Sequence, residues 1–318
     1  MKTAIVSLLA TVLWGCSSNF DSPSRLDRAR VLAIQAEPPQ PALGTTTTLR
    51  PLVYVPDGED VRYTWSWCPL PTSTTDAFGC PIDQAGAEAL FARLGVQGAP
   101  PLDLGEGDAI GFTNPFVSTT LAALCASGIP AAVAGNAILF ACSSVGLPIT
   151  VGLVVHTSQG DLSAVTYVYL PIDDALPRNQ NPVGSGLVAG DPALGQASIG
   201  QAPLPRGDHV PLRVLMDEAA AEALPHPAPG EAPYERITLS WYAEGGDFGY
   251  RGQGGERTGY LGNPADPTFT FQAALANTWN TPVSADYQGQ AARIIVVIRD
   301  SRGGISWLTG LAELEMAP

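Results

Sequence analysis

After Lys2 the chain contains no lysine. Without one, neither a phosphate-binding P-loop nor Schiff-base catalysis can be built. Histidine is almost as scarce. His156, His209 and His226 lie far apart, and none sits at the spacing of a metal-binding pair. The HExxH and GxSxG motifs are absent as well. Charged residues make up only 14% of the chain against 45% hydrophobic, a balance that excludes a disordered polymer and supplies ample core. The formal charge is −14, and so acidic a surface repels phosphate backbones, which excludes nucleic acid as a partner class. No catalytic residue, cofactor or metal ligand set follows from these residues. Asp57, Glu59 and Asp60 crowd one turn but do not follow a calcium-loop pattern, and they read as a solvated acidic turn. Cys68 and Cys80 are too far apart for a zinc pair. The stretch "YRGQGGERTGYLG" at 250–262 lacks the GxGxxG spacing and reads as a mobile loop between strands.

Glycine (34) and proline (29), in contrast, are plentiful, which favours short strands and turns over long helices. A chain of 318 residues has room for about two domains. Residues 1–15 have the layout of an export signal. Lys2 supplies the positive start, and Ala4 to Leu13 form an apolar run too short to cross a bilayer. The run ends in Leu13-Trp14-Gly15-Cys16, which resembles the lipobox of bacterial lipoproteins. That resemblance implies cleavage before Cys16, a diacylglycerol on its thiol, and membrane attachment by lipid, stable once two or more acyl chains are present. Ser17 follows the anchor where an aspartate would retain the protein at the inner membrane. The resemblance therefore implies a cell-envelope location, at the outer membrane in preference to the inner. Residues 16–30 are polar, lack periodicity through most of their length, and read as a tether.

With Cys16 assigned to lipid, Cys68, Cys80, Cys125 and Cys142 remain, and export favours disulfides among them. Three pairings are possible. Cys68–Cys80 and Cys125–Cys142 are favoured because each closes a short loop, and each would stabilise by about 3 kcal/mol in the chain-entropy account.

From Val31 onward the pattern is that of strands. "VRYTWSWC" alternates, placing Tyr63, Trp65 and Trp67 on one buried face. The same grammar returns later in the chain. "HVPLRVLMDE" at 209–218 matches "TTLRPLVYVP", and "ERITLSWYAEGG" at 235–246 matches "VRYTWSWC", with Trp241 in the place of Trp65. "VVHTSQGDLS" at 154–163 aligns without a gap on "VIRDSRGGIS" at 297–306. His156 then falls opposite Arg299, at what reads as a solvated strand position. Two strand-rich copies predict a mainly β protein made of two β-sandwiches. The pattern resembles the immunoglobulin-like and PKD-like modules of bacterial surface proteins. The expected layout is domain 1 over 31–174, carrying a partly helical, disulfide-tied insertion at 69–145, then a linker and domain 2 over 175–318. Asp83 and Gly95 bracket one helix in the insertion, near Gln84 to Leu94.

Residues 109–160 contain no Asp, Glu, Lys or Arg. Pro130, two glycines and Asn136 break this run, so short helices or coils are expected in place of a transmembrane helix. Leu121, Leu124, Ile138, Leu139 and Phe140 compete for one face there. They form a candidate partner patch. The expected function is a lipid-anchored envelope protein that displays two sandwiches for binding, adhesion or scaffolding, with a protein or glycan as ligand. The alternatives are a structural subunit of an envelope complex or an enzyme with its site in the insertion.

Overall fold

The computed structural model describes residues 22–316, apart from 71–78, 94, 97, 117–120, 122–145, 173–176, 191–194, 226, 228–231, 250–254 and 262–269. Every ladder between its named strands is antiparallel. In the first half, β1 (Arg30–Glu37), β2 (Thr46–Tyr54) and β5 (Ile110–Thr113) form one sheet in the order β1-β2-β5. The facing sheet has the order β4-β3-β6-β7, from β3 (Arg62–Cys68), β4 (Asp103–Glu106), β6 (Leu147–Thr157) and β7 (Gly160–Leu170). In the second half, β8 (Gly184–Ala189), β9 (Ala197–Ser198), β10 (His209–Met216), β12 (Asp247–Phe248) and β14 (Ala276–Asn280) are ordered β12-β14-β10-β8-β9. Its partner sheet runs β13-β11-β15-β16, from β11 (Arg236–Ala243), β13 (Glu256–Tyr260), β15 (Ala291–Arg299) and β16 (Ile305–Glu313). Each half is an immunoglobulin-like sandwich, its chain crossing more than once between the two sheets.

Alternation drives this arrangement. Trp65 and Trp67 face inward from β3 with Ile149, Val151, Leu153 and Val155 of β6, and Leu49 and Phe112 meet them from the other sheet. Helix α1 (Gln84–Arg93) closes this core by placing Phe91 edge-on to Trp67 at 6.2 Å and stacked on Phe116 at 5.0 Å. Asp83 caps it, its Oδ1 accepting the Gly86 N–H at 2.8 Å, and Gly95 takes the left-handed conformation (φ +74°) that ends it. The second core repeats the scheme with Trp241, Leu239, Ile294, Val296 and Ile298, joined by Leu212 and Trp279.

The register makes the repeat concrete. Trp65 pairs with Leu153 and Trp241 with Val296, the residues that stand immediately before the two aligned hairpins. The returning strands depart from that alignment. Val155 pairs with Leu162, but Ile298 pairs with Ser306, one residue later than an ungapped match requires. The β15–β16 turn therefore holds one more residue than its counterpart.

Three other expectations change. Residues 69–145 hold more than an insertion, because β4 and β5 belong to the sandwich sheets through their ladders with β3 and β2. Segments as short as "DLGE" and "IGFT" show no readable alternation. The expected loop at 250–262 contains β13, paired with β11 over Glu256–Tyr260. Gly259 is required there, since a side chain would overlap the Thr270 carbonyl oxygen. Of the tether, residues 22–30 are described, and they pack against the second sandwich. Leu26 N–H donates to Ala243 O at 2.7 Å, Ala243 N–H donates to Ser24 O at 2.9 Å, and Leu26 is buried. A short polar stretch holding a single leucine gave no sign of that docking.

Candidate functional site at the junction of the two sandwiches

Strand β15 has two buried faces. Ile294, Val296 and Ile298 enter their own core, while Ile295 and Val297 point outward against the first sandwich. There they meet Leu26, Leu32, Ala33 and Tyr54. A bulge in β1 between Val31 and Ala33 allows neighbouring residues Leu32 and Ala33 both to reach this contact. Arg293 lies over the Tyr54 ring at 5.9 Å. Burial first, then the charge of Glu244, pushes the Tyr54 phenol up to about 12.

A buried polar network continues the junction. Its centre is Arg302, in the β15–β16 turn and 2% exposed. Its guanidinium lies 3.3 Å from Glu235 Oε1 and 3.4 Å from Glu222 Oε2, and donates to Pro177 O at 3.0 Å and Gln40 Oε1 at 3.3 Å. In the same turn Asp300 accepts the backbone N–H groups of Arg302 and Gly304, each at 2.8 Å, and the amide of Asn179 at 3.1 Å. Asn181 donates to Ala36 O and accepts the Ile305 N–H, both at 2.8 Å. Four segments therefore converge: the end of β1, the connection before β8, the approach to β11, and the β15–β16 turn. Two glycines allow the turn its path. Gly303 is left-handed (φ +95°) with the Tyr169 ring where a side chain would be, and a methyl on Gly304 would overlap Asp300 Oδ2.

One cation among three carboxylates is short of charge. Burial, followed by the charge of Asp300, pushes the Glu235 carboxyl up to about 8 against the pull of Arg302. Burial raises Asp300 as well, although its hydrogen bonds from Gly304, Arg302 and Asn179 oppose the shift. At neutral pH this network holds a proton that free carboxyls would release.

Beside the network lies a cavity of 410 Å³ between the edges of β1 and β7, closed by Arg236 and the 299–305 turn. Arg299 braces it, donating to Leu32 O at 2.8 Å and to Ser240 Oγ at 2.9 Å. Among the described residues no group of three His, Cys, Asp or Glu side chains could hold a metal, and no helix is long and apolar enough to cross a membrane.

The residues singled out by sequence do not gather here. Cys68 and Cys80 are joined, with Cα atoms 5.5 Å apart. Cys16, Cys125 and Cys142 lie outside the described residues, as do Leu124, Ile138, Leu139 and Phe140 of the patch. Leu121, the fifth member, is not exposed. It is fully buried in the first core, close in sequence to Phe116, where apolar area is worth most. His156 does occupy an accessible strand position, bonded to Asp161 at 2.8 Å and Thr64 at 3.0 Å. The network residues escaped the sequence reading because "RDSRGG" has the look of an ordinary polar turn. Its readable signals were two adjacent glycines and an acid and a base within a turn.

No protein-family profile and no curated protein sequence matches the chain. Among solved structures it is similar to the three N-terminal domains of the Highly Immunogenic Outer Capsid protein of bacteriophage RB49, at 11% identity over 91% of this chain and 71% of that one, with a TM-score of 0.20. It is also similar to Escherichia coli alpha-2-macroglobulin, at 10% identity over 94% of this chain and 23% of that one, TM-score 0.22. A bacterial 1.5-MDa ice-binding adhesin gives 11% identity over 85% and 57%, TM-score 0.20. Likeness at this level carries no information about function. The class rests on the strand order: two immunoglobulin-like sandwiches joined through a buried junction.

Proposed function

We propose that this is a lipid-anchored envelope protein, attached through Cys16, whose paired sandwiches are displayed for binding, adhesion or scaffolding. The observation that carries this reading is the Cys68–Cys80 disulfide. Disulfides persist in oxidising, exported compartments, and the bond accounts for two of the five cysteines in a chain that opens with an export-like run ending in "LWGC". Ser17 beside the anchor favours the outer membrane. The packed junction supports display, since it offers a partner one preformed surface across both sandwiches and so lowers the ordering cost of binding. The ligand of such a surface is a protein or a glycan.

Labelled fatty acid fed to producing cells tests the anchor. The wild-type protein should take up label and sediment with outer membranes, and Cys16→Ala should do neither. Label retained by Cys16→Ala would refute the anchor, and an unlabelled wild-type protein in the cytoplasm would remove the whole reading.

A further inference from the structure

We propose that the junction cavity is a binding site for a carboxylated sugar of an acidic glycan. This deepens the binding role above and rests on it. At 410 Å³ the cavity is of small-ligand size, and it lies between two domains, where such sites concentrate. Its charge is opposite to that of the protein. The whole chain carries −14, yet the cavity wall presents Arg236 and Arg299 and a single acid, Asp300. That acid is already committed to Asn179, Arg302 and Gly304. Arg299 is half used, with bonds to Leu32 O and Ser240 Oγ. Arg236 is exposed, and among the described residues its guanidinium has neither a hydrogen bond nor an ion pair. A guanidinium in a partly enclosed site prefers a carboxylate, which it can grip by two parallel hydrogen bonds.

The remaining wall selects the body that bears the carboxylate. Val165 gives it an apolar side, while the Tyr167 side chain and the Ser301 hydroxyl give it a polar one. A sugar ring has one face of C–H groups and an equator of hydroxyls, and it matches such a mixed wall. A fatty carboxylate would require an apolar tunnel in place of the arginines and serine. The same chemistry is offered by a free uronic acid and by a uronate within a polysaccharide.

The test is ligand-observed NMR titration of the full lipidated chain in detergent. The probes are methyl α-galacturonide, its neutral methyl ester and a trigalacturonate. The acid should bind, and the ester should bind about tenfold more weakly, the scale of one charge-assisted contact. Arg236→Ala should lose about tenfold and Arg236→Lys less, with melting temperature unchanged because the side chain is exposed. Tighter binding of the trisaccharide would identify a polymer as the source, and equal binding a free sugar. Both support the site. Equal affinity for acid and ester, no binding by any probe, or indifference to Arg236→Ala would each overturn it. So would a peptide with a free C-terminus that displaces the sugar and depends more strongly on Arg236. Cys16→Ala should bind as the wild type does, so failure of the anchor and failure of the site are read separately.

Discussion

The two hairpins that close the sandwiches occupy equivalent places and have opposite fates. In the first, His156 pairs with Arg62 across β3 and reaches Thr64 and Asp161 at the surface. In the second, Arg299 pairs with Thr238 across β11 and reaches Ser240, the counterpart of Thr64. The longer arginine then continues to Leu32 of the other sandwich. One added residue lengthens the following turn and places Asp300 and Arg302 in a buried network. The same element is thus solvent-facing in one half and junction-forming in the other, with one more turn residue and a few different side chains, while the order of the four-stranded sheets and the core register are alike. Burial, more than residue type, sets what the same position does.

The largest expected effects probe what the copies share. Trp65→Ala and Trp241→Ala should each cost about 3–5 kcal/mol in urea denaturation, since both rings are fully buried. The phenylalanine variants sharpen the comparison. Trp65 Nε1 donates to Gly107 O at 2.8 Å, whereas Trp241 Nε1 has no hydrogen-bond partner among the described residues. Trp65→Phe should therefore be the more costly of the two, by about 1 kcal/mol, because it orphans a carbonyl. The reverse order would show that the two tryptophans are not equivalent.

Next comes the place where the copies diverge. Arg302→Ala leaves Glu235 and Asp300 buried without their cation and should cost about 3–5 kcal/mol, while His156→Ala on the other hairpin should cost less than 1 kcal/mol. Comparable losses at both sites would mean that the network adds nothing beyond an exposed pair.

All five cysteines precede residue 143, so redox sensitivity should be confined to the first sandwich. Cys68→Ser combined with Cys80→Ser opens a loop of 12 residues and should lower stability by about 3 kcal/mol. Near-UV signals from Trp65 and Trp67 should respond before those from Trp241.

These outcomes also bear on what sequence could reveal. Trp65, Trp67 and Trp241 were legible because alternation over seven or eight residues is a strong signal and buried aromatics fix its phase. The α1 helix was legible through Asp83 and Gly95. Strands β4, β5 and β13 were not, because their pairing is decided by distant partners and leaves no local period. The junction was hidden for the same reason. Gln40, Asn179, Glu222, Glu235 and Arg302 are scattered through the chain and acquire meaning only where four segments meet.

A milder perturbation than mutation is pH. Glu235 is raised from about 4.5 to about 8, and Asp300 is raised too, so the folded chain holds protons that the unfolded chain releases. Their contribution is fully present below the unfolded values and is lost as pH rises through about 8. Arg302 keeps its charge throughout, Gln40 and Asn179 do not titrate, and the Glu222 carboxylate also faces the site, 3.4 Å from the guanidinium. The melting temperature should fall between pH 5 and pH 8.5, and Glu235→Gln should flatten much of that slope. An unchanged slope in this variant would mean that the proton resides elsewhere.

The smallest effect belongs to the exposed counterpart of this network. Asp161 is 60% exposed and accepts from, or pairs with, the ring of His156, itself 31% exposed. Water screens the pair, and a surface pair of this kind is worth about 0–1 kcal/mol. The hairpin does not depend on it, because Thr157 Oγ1 donates to Gly160 O at 2.8 Å and accepts the Gln159 N–H at 3.1 Å, so the turn is closed within four residues. Asp161→Asn preserves the shape and should alter stability by less than about 0.5 kcal/mol in urea denaturation. A loss as large as that of Arg302→Ala would show that the first hairpin, too, has a buried partner. The contrast between a solvated and a sequestered turn would then fail.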